Sequence, residues 1–277
     1  MHLSSIYLQT IQTKMDKLAN NLANSVTPGF KQQLLSLEES YDAQDRANSV
    51  AQYGGLPLTN NPVLQDNLHV GRRFDFSPGT LTGTGNSLDM AIAGEGFFQV
   101  RTENGELGYT RAGVFSVDSA GNLVNNLGML LEPPVTIPAN ATNVHVEENG
   151  TIRGFLKTSE DDGVDYADYY YYADDEDLAD GLITFGRIPL YRFANPDGLA
   201  LAGNNIFLPT EASGQAIEGT AGENGYGLIK GSTLERSNTD LVTTMTALIQ
   251  MQRAYQFNLK IIRSEDEMSN IAIGMRG

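Results

Sequence analysis

Apolar residues recur at three- and four-residue spacings at both ends of this chain. At the N-terminus Leu8, Ile11, Met15, Leu18 and Leu22 are separated by three, four, three and four positions. That is the narrow seam of a helix that packs on another helix, not the wider stripe of an ordinary surface helix. The pattern predicts a helix ending before Thr27-Pro28-Gly29. Pro28 pushes Thr27 out of the α region, and Pro-Gly favours a tight turn.

The C-terminus repeats the design. Ser237 or Asn238 can cap, and Asp240 falls where the helix dipole favours an anion. Leu241, Met245, Leu248, Met251, Tyr255, Leu259 and Ile262 follow, and no Gly or Pro interrupts residues 237–273. Such a helix spans roughly 55 Å, too long for a compact body of this size to cover. A helix of about 20 residues is marginal alone in water, so order at the ends calls for partners.

Between the seams the chain reads as strands and turns. The 29 glycines and 10 prolines fit a β-rich body. Phe97–Val100 and Leu107–Thr110 flank Glu103-Asn104-Gly105, a hairpin pattern. Phe115–Val117 and Leu123-Val124 flank Ala120-Gly121-Asn122, a second. Residues 144–155 and 182–193 supply further strand candidates. The boundaries follow from these shifts of pattern. Residues 1–36 carry the N-terminal helix, 37–71 an extended linker, and 72–204 a β-rich outer domain. Residues 205–235 form a return linker, and 236–277 carry the C-terminal helix.

The sequence offers little to catalysis. Cysteine is absent, which removes disulfides, thiolate nucleophiles and thiolate metal sites. His2, His69 and His145 lack metal-ligand spacing. Gly94-Glu95-Gly96 and Gly83-Thr84-Gly85 begin like dinucleotide loops but lack the third glycine, and no serine occupies a nucleophile elbow. We therefore expect no catalytic residues, metal or cofactor. A net charge of −16 argues against nucleic acid as a partner. Ten of the acids fall within residues 160–180, beside Tyr169–Tyr172, and no Lys or Arg accompanies them. That run reads as a solvated surface insertion, with a secreted Ca²⁺-binding or adhesive module as the alternative. No apolar run is long enough to span a membrane. The first residues lack the basic-then-apolar layout of a cleaved signal peptide.

Asn20-Asn21-Leu22-Ala23-Asn24, followed by Thr27-Pro28-Gly29-Phe30-Lys31, resembles the N-terminal motif of bacterial flagellar rod and hook proteins. Ser237-Asn238-Thr239-Asp240-Leu241-Val242, then Gln252-Arg253-Ala254-Tyr255, Asn258 and Lys260, is similar to their C-terminal motif. Leu88-Asp89, Gly94–Val100, Tyr109-Thr110-Arg111 and Asn195-Pro196-Asp197-Gly198-Leu199 extend the likeness over nearly the whole chain. The length and the phrase after Asn195 resemble the rod members, distal or a close paralogue, more than the hook protein with its extra outer domain. Val26 departs from the family, which usually has Asn or a small polar residue there.

The resemblance implies an α+β fold: long N- and C-terminal helices pairing as a coiled coil, with a β-rich central domain. It implies a structural subunit of the basal-body rod, without enzymatic activity, that serves motility. Such a subunit leaves the cell through the flagellar type III export apparatus and self-assembles with other rod and hook subunits. The seam residues would carry assembly. Asn21, Asn24, Gln252 and Asn258 would then be interhelical hydrogen-bonding groups that set register.

Overall fold

The computed structural model describes residues 2–39, 68–102, 104–157 and 182–274 of the chain. Two helices stand at its ends, α1 (His2–Ala23) and α2 (Leu241–Gly274). The chain divides into two compact units. One comprises Met1–Leu22, Gln33–Phe74 and Val242–Gly277, the other Ala23–Gln32 and Asp75–Leu241.

The first unit holds α1, most of α2 and a strand pair. Gln33–Glu39 runs antiparallel to Leu68–Phe74, with Gln33 opposite Phe74 and Glu39 opposite Leu68. The sequence reading placed the outer parts of these strands in a linker, because their alternation is weak.

The coiled coil expected between the terminal helices is not shown, and the fold assignment is corrected on that point. The helices are there, and the mixed α and β content holds, but no extended α1–α2 interface occurs among the described residues. A two-helix coil submerges its seam residues along one line. Leu241 and Met245, which open the expected C-terminal seam, are 45% and 46% exposed. The less exposed line of α2 runs instead through Thr244, Leu248, Met251, Tyr255, Leu259 and Ile262. In α1 only Ile11 of the seam is buried; Leu8, Met15, Leu18 and Leu22 are half-buried.

The second unit is built on β-sheet. Its main sheet has seven strands in the spatial order Ala200–Gly203, Ile206–Leu208, Leu107–Thr110, Phe98–Arg101, Leu130–Glu132, Leu123–Asn125 and Phe115–Val117. Both hairpins read from the sequence are in it. Gln99 pairs with Tyr109, and Ser116 with Val124. A three-stranded sheet of Ala141–Val146, Thr151–Leu156 and Leu182–Arg187 packs its apolar side onto the same core. Residues 205–235, read as a return linker, contain the strands Ile217–Gly219, Leu228–Gly231 and Thr233–Glu235. Leu228–Gly231 pairs with Met90–Ala93, and Thr233–Glu235 with Leu81–Gly83.

The core contains Met90, Ile92, Phe98, Phe115, Leu123, Leu131, Ile152, Leu190 and Ile229. Each large side chain removed from water contributes about 1.5–3 kcal/mol. Phe76, Phe97, Phe193 and Phe207 make edge-to-face contacts with centroids 5.3–6.2 Å apart. Backbone crossings here are very close. A Cβ on Gly113 would lie 1.5 Å from the Met90 carbonyl oxygen, so only glycine fits. The acidic segment 160–180 lies outside the described residues, and with it the Ca²⁺ alternative.

Candidate assembly site

The turn that leaves α1 is set by its asparagines. Asn21 is buried, and its side-chain amide pairs with the Gln33 backbone as a neighbouring strand would. Nδ2 donates to the Gln33 carbonyl at 2.9 Å, and Oδ1 accepts the Gln33 N–H at 2.9 Å. Gln33 Nε2 donates to Asn20 Oδ1 at 3.4 Å. Asn24 closes the turn, its carbonyl accepting the Thr27 N–H and its Oδ1 the Thr27 hydroxyl. These Asn21 and Asn24 bonds shape the helix exit.

Residues 27–32 then lie along the β-rich unit. Gly29 adopts a φ of +67°, and any Cβ there would come within 2.4 Å of the Ala112 backbone. Its N–H donates to the Glu235 carbonyl at 2.8 Å. Phe30 is buried. The Gln32 N–H donates to Asn238 Oδ1 at 2.8 Å, while Asn238 Nδ2 donates to the carbonyls of Asp75 and Ser77. One asparagine thus joins three chain segments.

Beneath this stretch sits a buried ionic cluster. The Lys31, Arg111 and Glu235 side chains are 0%, 3% and 1% exposed. Lys31 Nζ donates to Glu235 Oε1 at 2.7 Å and to the Ser77 carbonyl at 2.7 Å. Arg111 Nε donates to Glu235 Oε2 at 3.1 Å, and its remaining nitrogens reach the carbonyls of Gly94 and Gly96. The Gly79 N–H completes the carboxylate's shell at 2.8 Å. Burial, and next the Arg111 charge, push the Lys31 pKa below its ordinary value. Sequence reading quoted Lys31 and Arg111 only as motif letters and passed over Glu235. Lys31 and Glu235 lie 204 positions apart, and no local pattern links them.

The C-terminal motif behaves differently. Gln252 and Arg253 are exposed, Ala254 and Tyr255 half-buried. Asn258 Nδ2 donates back to the Ala254 carbonyl of its own helix at 2.8 Å. Leu241, Val242, Met245, Ile249, Phe257, Ile261, Met268 and Ile271 are all exposed. At roughly 100° per residue Val242, Ile249, Phe257, Ile261, Met268 and Ile271 centre on the side of α2 opposite the Thr244–Ile262 line, while Leu241 and Met245 lie nearer that line. An ordinary surface helix carries one apolar face, and this one carries two. Among the described residues no three His, Asp or Glu side chains gather as a metal site.

A family model described as the flagellar hook protein FlgE/F/G D1 domain matches residues 91–154. One described as the flagellar basal body rod FlgEFG protein C-terminal region matches residues 230–275. The flagellar basal-body rod protein FlgG of Caulobacter vibrioides is 34% identical over 259 residues, covering 93% of this chain and 91% of the relative. The chain belongs to the flagellar rod and hook protein family. The rod protein FlgG of Borreliella burgdorferi is 31% identical over 268 residues, with 96% and 94% covered. The flagellar hook protein FlgE of Salmonella typhimurium is 25% identical over 414 aligned positions. Within the family this chain is most like the rod protein FlgG. It is a structural rod or hook subunit of the flagellum, and family membership implies assembly with other such subunits.

Proposed function

We propose that this subunit polymerises into the basal-body rod through its terminal helices, contributing to the drive shaft without any catalytic role. The observation that carries the reading is the second apolar face of α2. Six large apolar side chains from Val242 to Ile271 stand exposed along it. Burying them against neighbouring subunits removes far more apolar surface than a lone helix can hide. The partners are other copies and related rod or hook subunits, not nucleic acid, given the net charge of −16.

We further infer that the chain reaches the tip through the flagellar type III apparatus with α1 retained. Ile11 and Asn21 in α1 are buried in the folded unit, so cleavage within the helix would remove residues that the fold uses. No helix among the described residues is long and apolar enough to cross a membrane. The test is mass spectrometry of purified basal bodies together with complementation of a rod-deficient strain. Peptides from residues 8–31 should be recovered from the rod fraction. A rod-associated form starting beyond α1, or recovery from the cytoplasm alone, would overturn the route.

A further inference from the structure

We propose that residues 24–32 form a releasable strap, which undocks from the β-rich unit as one piece while that unit stays folded. The strap's polar attachments converge on two short segments. Gly29 N–H bonds the Glu235 carbonyl, Gln32 N–H bonds Asn238, and Asp75 N–H bonds the Gln32 carbonyl. Lys31 reaches Glu235 and Ser77.

The charged groups that the strap leaves behind keep their partners. Breaking a buried ion pair is costly when it strands a charge in the interior. Here Glu235 retains Arg111 and the Gly79 N–H, so a one-to-one pair remains in the pocket. Arg111 stays fixed by the carbonyls of Gly94 and Gly96, which belong to the same unit. The Ser77 carbonyl retains the Asn238 amide at 3.2 Å. With the strap docked, by contrast, the pocket holds two cations for one carboxylate.

What the strap takes with it gains from leaving. The Lys31 ammonium moves from a site beside Arg111 back into water. Its lowered pKa agrees, because burial and the neighbouring guanidinium both disfavour the charge. Phe30 and the Gly29–Ala112 contact resist release, since they bury apolar surface with no charge at stake. The strap is therefore held by packing and backbone bonds, and loosened by its own lysine. This rests on the pocket geometry and not on which neighbours the subunit meets.

Native-state hydrogen exchange on the full-length chain tests the device. The Gly29 and Gln32 amides report the strap. The Phe97 and Leu123 amides, bonded to Tyr191 and Val135 carbonyls, report the body. Strap amides should be at least about 100-fold less protected, through an opening with weak denaturant dependence. In Lys31→Met no ammonium is rehydrated on release, so strap protection should rise about threefold or more with body protection unchanged. Strap and body amides exchanging together in the unsubstituted chain would overturn the releasable strap. Unchanged or lowered strap protection in Lys31→Met would overturn the part assigned to the lysine.

Discussion

The motif residues at the two ends of this chain are used in opposite ways. Those at the N-terminal end are consumed inside the subunit: Asn21 satisfies the Gln33 backbone, Gly29 packs under Ala112, and Lys31 enters the Glu235 pocket. Past Asn238, which ties Gln32 to Asp75 and Ser77, those at the C-terminal end make little of the subunit. Gln252 and Arg253 face solvent, and Asn258 bonds only one turn back. One motif therefore shapes a fold, and the other presents a surface. Residues that identify a family equally well can differ in whether a single copy contains the reason for them.

The strongest way to break that comparison is to charge the outer face of α2. Ile249→Asp and Phe257→Asp place carboxylates where apolar side chains stand exposed. In the monomer such surface changes alter stability by about 0.5 kcal/mol or less. In a packed rod each would bury an unpaired charge, which costs several kcal/mol. Motility and rod incorporation should be lost while the monomer's thermal transition stays in place. Normal swimming in both variants would remove α2's outer face from assembly. Phe98→Ala is the opposite experiment. Phe98 is fully buried against Phe115, so truncation should cost about 3–5 kcal/mol and lower the melting temperature of the β-rich unit.

Much of this contrast was legible in the sequence. Turn glycines and flanking apolar runs located two hairpins of the main sheet, because Gly105 and Gly121 take positive φ values that glycine accepts readily. The two helices were legible from three- and four-residue spacing. What each helix packs on was not, since spacing states that a face is apolar and leaves open what covers it. In α2 the spacing joined exposed Leu241 and Met245 to half-buried Leu248 and Tyr255 along one side, and it did not register the apolar residues on the other. The strands Leu228–Gly231 and Thr233–Glu235 were missed because they are three or four residues long and pair with segments more than 130 positions away. The Lys31–Arg111–Glu235 pocket was illegible for the same reason.

Two asparagines sharpen the comparison at smaller scale. Asn21→Ala leaves the buried Gln33 N–H and carbonyl without their side-chain partner, at a cost of about 1–3 kcal/mol. Asn258→Ala removes a bond within one helix and improves helix propensity, so the monomer should be unchanged or slightly more stable. Urea unfolding of the two variants measures both. Equal losses would mean that α2 is as internally committed as the end of α1.

The smallest expected effect is a pH dependence at Lys31, and its sign is the informative part. Burial, and next Arg111, lower its pKa from 10.5, while Glu235 and Asp75 act the other way without reversing the shift. Between the lowered value and 10.5 the unfolded chain binds more protons than the folded one, so this residue adds stability as pH rises. Tyr191 and Tyr109 act in the opposite sense. Burial raises both above 10.0, and above that pH the folded chain keeps protons that the unfolded chain loses. The window that isolates the lysine therefore closes at about pH 10, and subtracting the Lys31→Met profile cancels the tyrosines. In urea melts across the mildly alkaline range, the unsubstituted chain should gain stability relative to Lys31→Met as pH increases. An ordinary salt bridge that loses its ammonium would do the reverse. A relative loss with rising pH would mean that Lys31 locks the strap down, leaving packing at Phe30 as the weaker hold.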